Sequence, residues 1–213
     1  MALLDLDPDQ LLSTTRAVRK RLDFDKPVPD DLIRECVALA LQAPSGSNTV
    51  TMSFVVVRDP AKRKAVGALY GEAFDTYRAS PAFAGKLSRD TPEAQAQQAR
   101  VADSAEFLAA HMGEAPALVI GCNVGTERKV AAGGMGNILP AVWSFMLAAR
   151  ARGLGTAWTT LHTLKEREVA DVLGIPFDTV VQTVLTPVAF TKGTDFKPAA
   201  RPDPDSIIHW DTW

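Results

Sequence analysis

What this 213-residue chain lacks narrows its function before any motif is considered. It has two cysteines, Cys36 and Cys122, each inside an apolar run, and no Cys-x-x-Cys. Buried thiols rather than a disulfide are expected, as where the redox poise keeps thiols reduced. The three histidines, His111, His162 and His209, lie far apart and form no His-Glu-x-x-His, so no catalytic metal is expected. His162 reads as a structural hydrogen-bonding residue. Gly-x-Ser-x-Gly is missing, which removes one common serine nucleophile. Gly134-Met-Gly136 and Gly153-Leu-Gly155 lack the context and third glycine of a dinucleotide loop, and there is no Walker lysine. Charge of one sign is also lacking: the net charge is -2 and the pI near 5.9. Nothing draws the chain to nucleic acid or to an anionic membrane. No run approaches the ~20 apolar residues of a membrane span, and the first residues lack the basic and apolar regions of a secretory signal. A cytoplasmic protein is expected.

What is present suits one well-filled core: 46% hydrophobic and 23% charged residues. Residues 9–22 are predicted as a short helix, with Leu11, Leu12, Thr15, Val18 and Leu22 on its apolar side. Pro29, Asp30 and Asp31 open a second helix, which Pro44 stops. Residues 54–57 form a short buried strand. Residues 61–77 are predicted as a helix, and 79–89 have no clear period, so the 61–90 region is where a lid could lie. Thr91-Pro92-Glu93 opens a long helix to about His111. Residues 117–122 form a second strand. Residues 137–152 are apolar nearly all round, which predicts a central, buried helix ending at Gly153. A short strand at 156–159 and a capping box, Thr163-Leu-Lys-Glu166, for a helix ending at Gly174 follow. Residues 180–188 are the last strong strand, and the chain from Phe190 is an irregular arm. The sum is one α+β domain over residues 1–213, with a mixed or antiparallel sheet of four to five strands buried among helices. Residues 190–213 would be its C-terminal arm.

Two segments carry chemistry. Arg16-Ala-Val-Arg19, continued by Lys20 and Arg21, offers fixed cations. By itself such a cluster is a solvated face as readily as an anion site. Ala43-Pro-Ser-Gly-Ser-Asn48 offers small hydrogen-bonding residues, and by itself is equally a helix-stop loop. Lys197 and Arg201 add cations in the irregular tail. Guanidinium forks matched to phosphate give a reason for distant cations to converge. A phosphorylated ligand with a polar ring edge would use both segments.

With Lys26-Pro-Val-Pro29, the strand at 54–57, residues 149–158 (Ala-Arg-Ala-Arg-Gly-Leu-Gly-Thr-Ala-Trp) and Ile207-Ile-His-Trp210, these segments resemble the FMN-dependent nitroreductase family over nearly the whole chain. The resemblance implies a homodimer whose terminal arms wrap the partner, with one FMN in each of two interfacial clefts. It implies that Arg16 and Arg19 hold the phosphate end and pyrimidine edge of FMN, beside the Ala17 backbone. Arg201 would be a second phosphate contact, with Lys197 a weaker one. Pro44, Ser45 and Asn48 would come from the other subunit, and Thr160 and Leu161 would present a backbone N–H to the reactive flavin nitrogen. The implied activity is ping-pong hydride transfer from NADH or NADPH to nitroaromatic, quinone or similar acceptors, with no catalytic side chain. Reductive dehalogenation, oxygen-dependent flavin fragmentation and non-catalytic flavin binding stay open. The chain departs from the family where Asn-x-Gln-Pro-Trp is replaced by Asn48-Thr-Val-Thr-Met52. Thr15 and Ala17 likewise stand where an arginine and a serine are usual. Thr160 and Leu161 replace an acidic residue and a glycine.

Overall fold

The computed structural model describes residues 3–213. Helix α1 (Pro8–Thr14) starts with a reciprocal cap, Gln10 N–H donating to Asp7 Oδ1 at 2.7 Å and Asp7 N–H to Gln10 Oε1 at 3.0 Å. It ends eight residues before the predicted limit at Leu22. The Thr14 and Thr15 hydroxyls turn back onto the carbonyls of Gln10 and Leu11, both at 2.6 Å. Two adjacent β-branched residues bonding this way weaken a helix end, and the chain leaves Thr15 in an extended conformation. Ala17 then bridges Thr156, with Val18 N–H donating to Thr156 O at 2.8 Å. The predicted apolar face is split accordingly: Val18 and Leu22 are buried while Leu12 is exposed. Strand β1 (Leu22–Asp23), which no period announced, follows.

The remaining strands are β2 (Met52–Val57), β3 (Ala117–Val124), β4 (Leu154–Thr156) and β5 (Val180–Thr191). All pairings between these strands are antiparallel, in the order β1-β5-β3-β2, with β4 also on β5. Strand β5 is buried along all but its last residue and runs to Thr191, so the irregular tail begins two residues later than expected. Alternation along β3 separates two apolar clusters: Leu118, Ile120 and Cys122 join one, Ala117 and Val119 the other. Both cysteines are free and buried.

Helix α2 (Asp30–Ala40) packs on α6 (Met135–Ala151), and α3 (Pro60–Ala79) and α4 (Pro92–His111) cover the first cluster. The short α5 (Arg128–Gly133) was not anticipated. Helix α6 buries Ile138, Val142, Phe145 and Met146, but it is not enclosed as predicted. Met135, Leu139 and Trp143, one helical turn apart, are each more than a third exposed. The expected capping box is also absent. Residues 161–165 form a 3₁₀ turn, the Thr163 hydroxyl donates to Thr160 O at 2.8 Å, and α7 (Glu166–Leu173) begins at Glu166. The Glu166 carboxylate is used elsewhere, accepting the Gln182 N–H at 2.8 Å and pairing with Arg128. Gly153 and Gly174 end α6 and α7 at φ 73 and 72, the left-handed stop expected of both.

Gly67 sets the distance between α3 and the turn after α4. A Cβ there would lie 2.6 Å from Gly113 N and 2.8 Å from its Cα, contacts that backbone cannot yield cheaply. Gly67→Ala is expected to lower stability by ~1–3 kcal/mol, the usual cost of overpacking, with a matching fall in the urea midpoint. An unchanged midpoint would show that α3 is free to shift.

Candidate functional site

The four cations after α1 meet different fates. Lys20 pairs with Asp103, and Arg21 pairs with Asp195 at 2.6 Å. Arg16 and Arg19 have no carboxylate partner among the described residues. Arg16 Nη1 donates to Lys197 O at 2.7 Å, on the tail. Arg19 turns the other way, with Nη1 3.4 Å from Ser104 Oγ on α4. Arg16 and Arg19 are half-buried.

Arg19 stands in the wall of a cavity of about 290 Å³. Tyr70, Phe74 and Tyr77 of α3, Ala105 of α4 and the strip Trp158–Leu161 line the same space. The structure thus brings Arg19 into one cavity wall with Thr160 and Leu161, the two residues named through the family resemblance. Burial lowers the Arg19 pKa below its ordinary value, and the Tyr70 and Tyr77 phenols work against that shift. Burial likewise raises the Tyr70 phenol, against the opposing pull of the Thr159 hydroxyl and Arg19. Thr159 is fixed in turn: its hydroxyl donates to Leu185 O at 2.6 Å, while Thr159 and Leu185 exchange backbone hydrogen bonds. The next residues open the 3₁₀ turn, whose first N–H groups have no partner within the turn. An aromatic slot with one unneutralised cation and outward N–H groups favours a flat ring system that carries or gains negative charge. Two larger cavities, of about 720 and 530 Å³, lie between α3 and α4 and between α2 and β2. Neither is lined by a residue expected to bind the ligand.

Pro44, Ser45 and Asn48 do not reach this slot in one copy. Their loop is tied to the start of α6: Gly46 N–H donates to Asn137 Oδ1 at 2.9 Å. Asn137 Nδ2 donates to Thr51 Oγ1 at 3.0 Å, and Thr51 Oγ1 to Asn123 Oδ1 at 2.7 Å. Ser47 and Asn48 take positive φ, 53 and 54, a left-handed conformation uncommon for residues with side chains and most readily adopted among them by asparagine. The Arg16 segment adjoins the opposite end of α6, where Arg150 Nη2 donates to Thr14 Oγ1 at 3.3 Å. From Asn137 to Arg150 the helix axis spans ~20 Å. Arg201 is also apart: it is exposed, and its guanidinium donates only to the adjacent Ala200 O, at 3.3 Å, among the described residues. Lys197 touches the Arg16 segment through its carbonyl rather than its amine.

Among the described residues no group of three or more His, Cys, Asp or Glu is placed to hold a metal, and no helix is long and apolar enough to cross a membrane.

Fold and slot together define an α+β protein with an aromatic cavity built around an uncompensated guanidinium. Residues 12–189 match the family model described as "Nitroreductase family", and the chain belongs to that family. Among solved structures it is similar to a variant of an FMN- and NADPH-dependent nitroreductase from Sphigopyxis sp. strain HMH. The identity is 19% over 98% of this chain and 100% of that one, with a TM-score of 0.71. It is similar too to iodotyrosine deiodinase bound to FMN and 3-iodo-L-tyrosine, at 20% identity, 95% and 98% coverage, and a TM-score of 0.71. For the NADPH:FMN oxidoreductase from Vibrio harveyi complexed with NAD+ the values are 15%, 96% and 77%, and 0.70. At these identities the likeness carries the fold and not the activity.

Sequence reasoning missed Tyr70, Phe74, Tyr77 and Trp158. The signal was there for three of them, since spacings of four and three residues put Tyr70, Phe74 and Tyr77 on one helix face. His162 was misjudged. It is fully buried on the turn behind the slot, and neither ring nitrogen has a hydrogen-bond partner. Burial lowers its pKa from 6.5 to about 4. The folded chain therefore keeps His162 neutral between pH 6.5 and 4 while the unfolded chain takes up a proton there. Stability drains away as pH falls through that window, by up to ~3 kcal/mol from this group. In His162→Leu the thermal midpoint should drop less steeply between pH 6.5 and 4 than in wild type. Parallel pH profiles would show that His162 does not carry the acid sensitivity.

Proposed function

We propose that the chain is a cytoplasmic FMN-dependent oxidoreductase that takes hydride from NADH or NADPH and reduces small acceptors such as nitroaromatics or quinones. The observation that carries this reading is Arg19, half-buried in an aromatic slot with no carboxylate to neutralise it. The residues fit the cofactor. A cavity of about 290 Å³ suits a three-ring system, and Arg19 would place positive charge at its pyrimidine edge. The Thr160 and Leu161 N–H groups would face the ring atom that exchanges hydride. Arg16 would hold the phosphate end beside the Ala17 backbone, with Arg201 as a second cation once the tail is seated.

FMN supplies the hydride chemistry, so no acid, base or nucleophile of the chain is needed. The protein's part is to orient the ring, exclude water with Tyr70, Phe74 and Trp158, and stabilise the charge that reduction adds. Pro44, Ser45 and Asn48 would come from a second copy, because α6 keeps them ~20 Å from the Arg16 segment in their own chain. The exposed stripe Met135, Leu139 and Trp143 on α6 supports a homodimer joined through that helix. The whole chain would act as one domain, with the tail after Thr191 as an arm laid on the partner.

The purified protein is expected to be yellow, to bleach with NADH or NADPH in stopped flow, and to recover colour with a nitroaromatic or quinone. A halogenated phenol in the same acceptor panel separates dehalogenation from nitro and quinone reduction. Arg19→Met should weaken FMN binding ~10- to 100-fold, the worth of one charge-assisted hydrogen bond. A colourless wild-type protein that takes up no added FMN would refute the proposal.

A further inference from the structure

The start of the C-terminal tail is seized by cations from two other parts of the chain. The Arg21 guanidinium lies 4.2 Å from the centre of the Phe196 ring, and the Arg150 guanidinium 4.9 Å from it. Arg21 also donates through Nε to Lys192 O at 3.0 Å and through Nη2 to Asp195 Oδ1 at 2.6 Å. Arg150 donates through Nη2 to Thr194 O at 3.0 Å. Backbone pairing adds Lys192 N–H to Arg21 O at 2.8 Å.

Arg150 is the unusual member. It is 4% exposed at the end of α6, and its Nε and Nη1 have no hydrogen-bond partner. Burial and the nearby Arg21 charge both lower its pKa. A buried guanidinium costs free energy unless something offsets its charge. Here the Phe196 ring is the offset, since an aromatic face attracts a cation and does so more strongly when water is excluded. The ring also lets two like charges approach one point. Arg21 has Asp195 beside it, whereas Arg150 has the ring and two neutral oxygens.

Past Phe196 the tail meets the fold at Lys197 O, held by Arg16, and residues 201–213 are all exposed. From Lys197 to Arg201 the chain can span at most ~14 Å. Where Arg201 can reach is therefore decided by where Phe196 is pinned. We propose that Phe196, clasped between Arg21 and Arg150, is a positioning residue that fixes the exit of the tail and so places Lys197 and Arg201 for the cofactor phosphate. This rests on the FMN reading above, although the clasp itself can be tested without flavin.

The test compares the full-length wild type with Phe196→Leu, which keeps an apolar side chain but removes the ring, and Phe196→Tyr, which restores a ring. Arg150→Met, which removes the buried charge, is the second route to the same contact. Two readouts are taken. The first is the rate of trypsin cleavage at the Lys192–Gly193 bond, followed by mass spectrometry with and without added FMN. The second is the Kd for FMN from quenching of flavin fluorescence.

Phe196→Leu and Arg150→Met are expected to speed cleavage and to raise the FMN Kd about tenfold, while Phe196→Tyr stays within about threefold of wild type. Unchanged cleavage in Phe196→Leu overturns the clasp. Faster cleavage with an unchanged Kd, or a tyrosine variant as impaired as the leucine one, overturns the positioning role and leaves the flavin reading standing. A wild type that takes up no FMN removes the flavin reading and this role together, while the cleavage rates still report on the clasp.

Discussion

The site depends on one short contact, the laying of residues 17 and 18 against Thr156 of β4. Val18 donates its N–H to Thr156 O, and the approach is close because position 155 has no side chain. A Cβ on Gly155 would stand 2.7 Å from Thr191 Cγ2, 2.9 Å from Leu22 Cδ2 and 3.0 Å from Val18 Cβ. That pairing takes the Arg16–Arg19 segment out of any helix. In a helix, residues three apart share a face. Off the helix, Arg16 reaches the tail while Arg19 enters the aromatic slot. Two cations three residues apart thereby point to different places, one to the tail and one to the slot.

The parts of the fold legible in sequence were those with strong, uninterrupted patterns. Residues 54–57, 117–122 and 180–188 lie within β2, β3 and β5, since apolar runs of that length bounded by turn residues have few other solutions. The helix opened by Thr91-Pro92-Glu93 also formed, with the Thr91 hydroxyl accepting from Ala94 N–H at 3.2 Å. Patterns failed where a distant partner outbid the local one. Leu11 to Leu22 has a helical period, but the sheet edge claimed Val18. Thr163 and Glu166 have capping-box spacing, but Arg128 and Gln182 took the carboxylate. Strand β1, only two residues long, exists because β5 offers it a partner.

For the site, residue type told more than residue position. Arg19 was singled out as a fixed cation, Thr160 and Leu161 through the family resemblance, and all three line one cavity. The loop at 44–48 and Arg201 remain apart from it in a single copy, the first tied to α6 and the second exposed in the tail. The aromatic wall went unnoticed because Tyr70, Phe74 and Tyr77 look like ordinary core residues of a helix. Only their convergence with an unneutralised cation gives them a chemical meaning, and convergence is a property of three dimensions.

The length of α6 has a consequence for how the protein behaves in dilute solution. Its two ends anchor the two halves of the proposed cleft, so in the proposed homodimer each complete cleft would take one half from either molecule. Retention of the proposed cofactor would then obey mass action between chains and not affinity alone. As the protein is thinned out, both clefts of such a pair would come apart in one event. A mixed pair carrying defects at opposite ends, one in the arginine segment and one in the loop, would still own a single intact cleft.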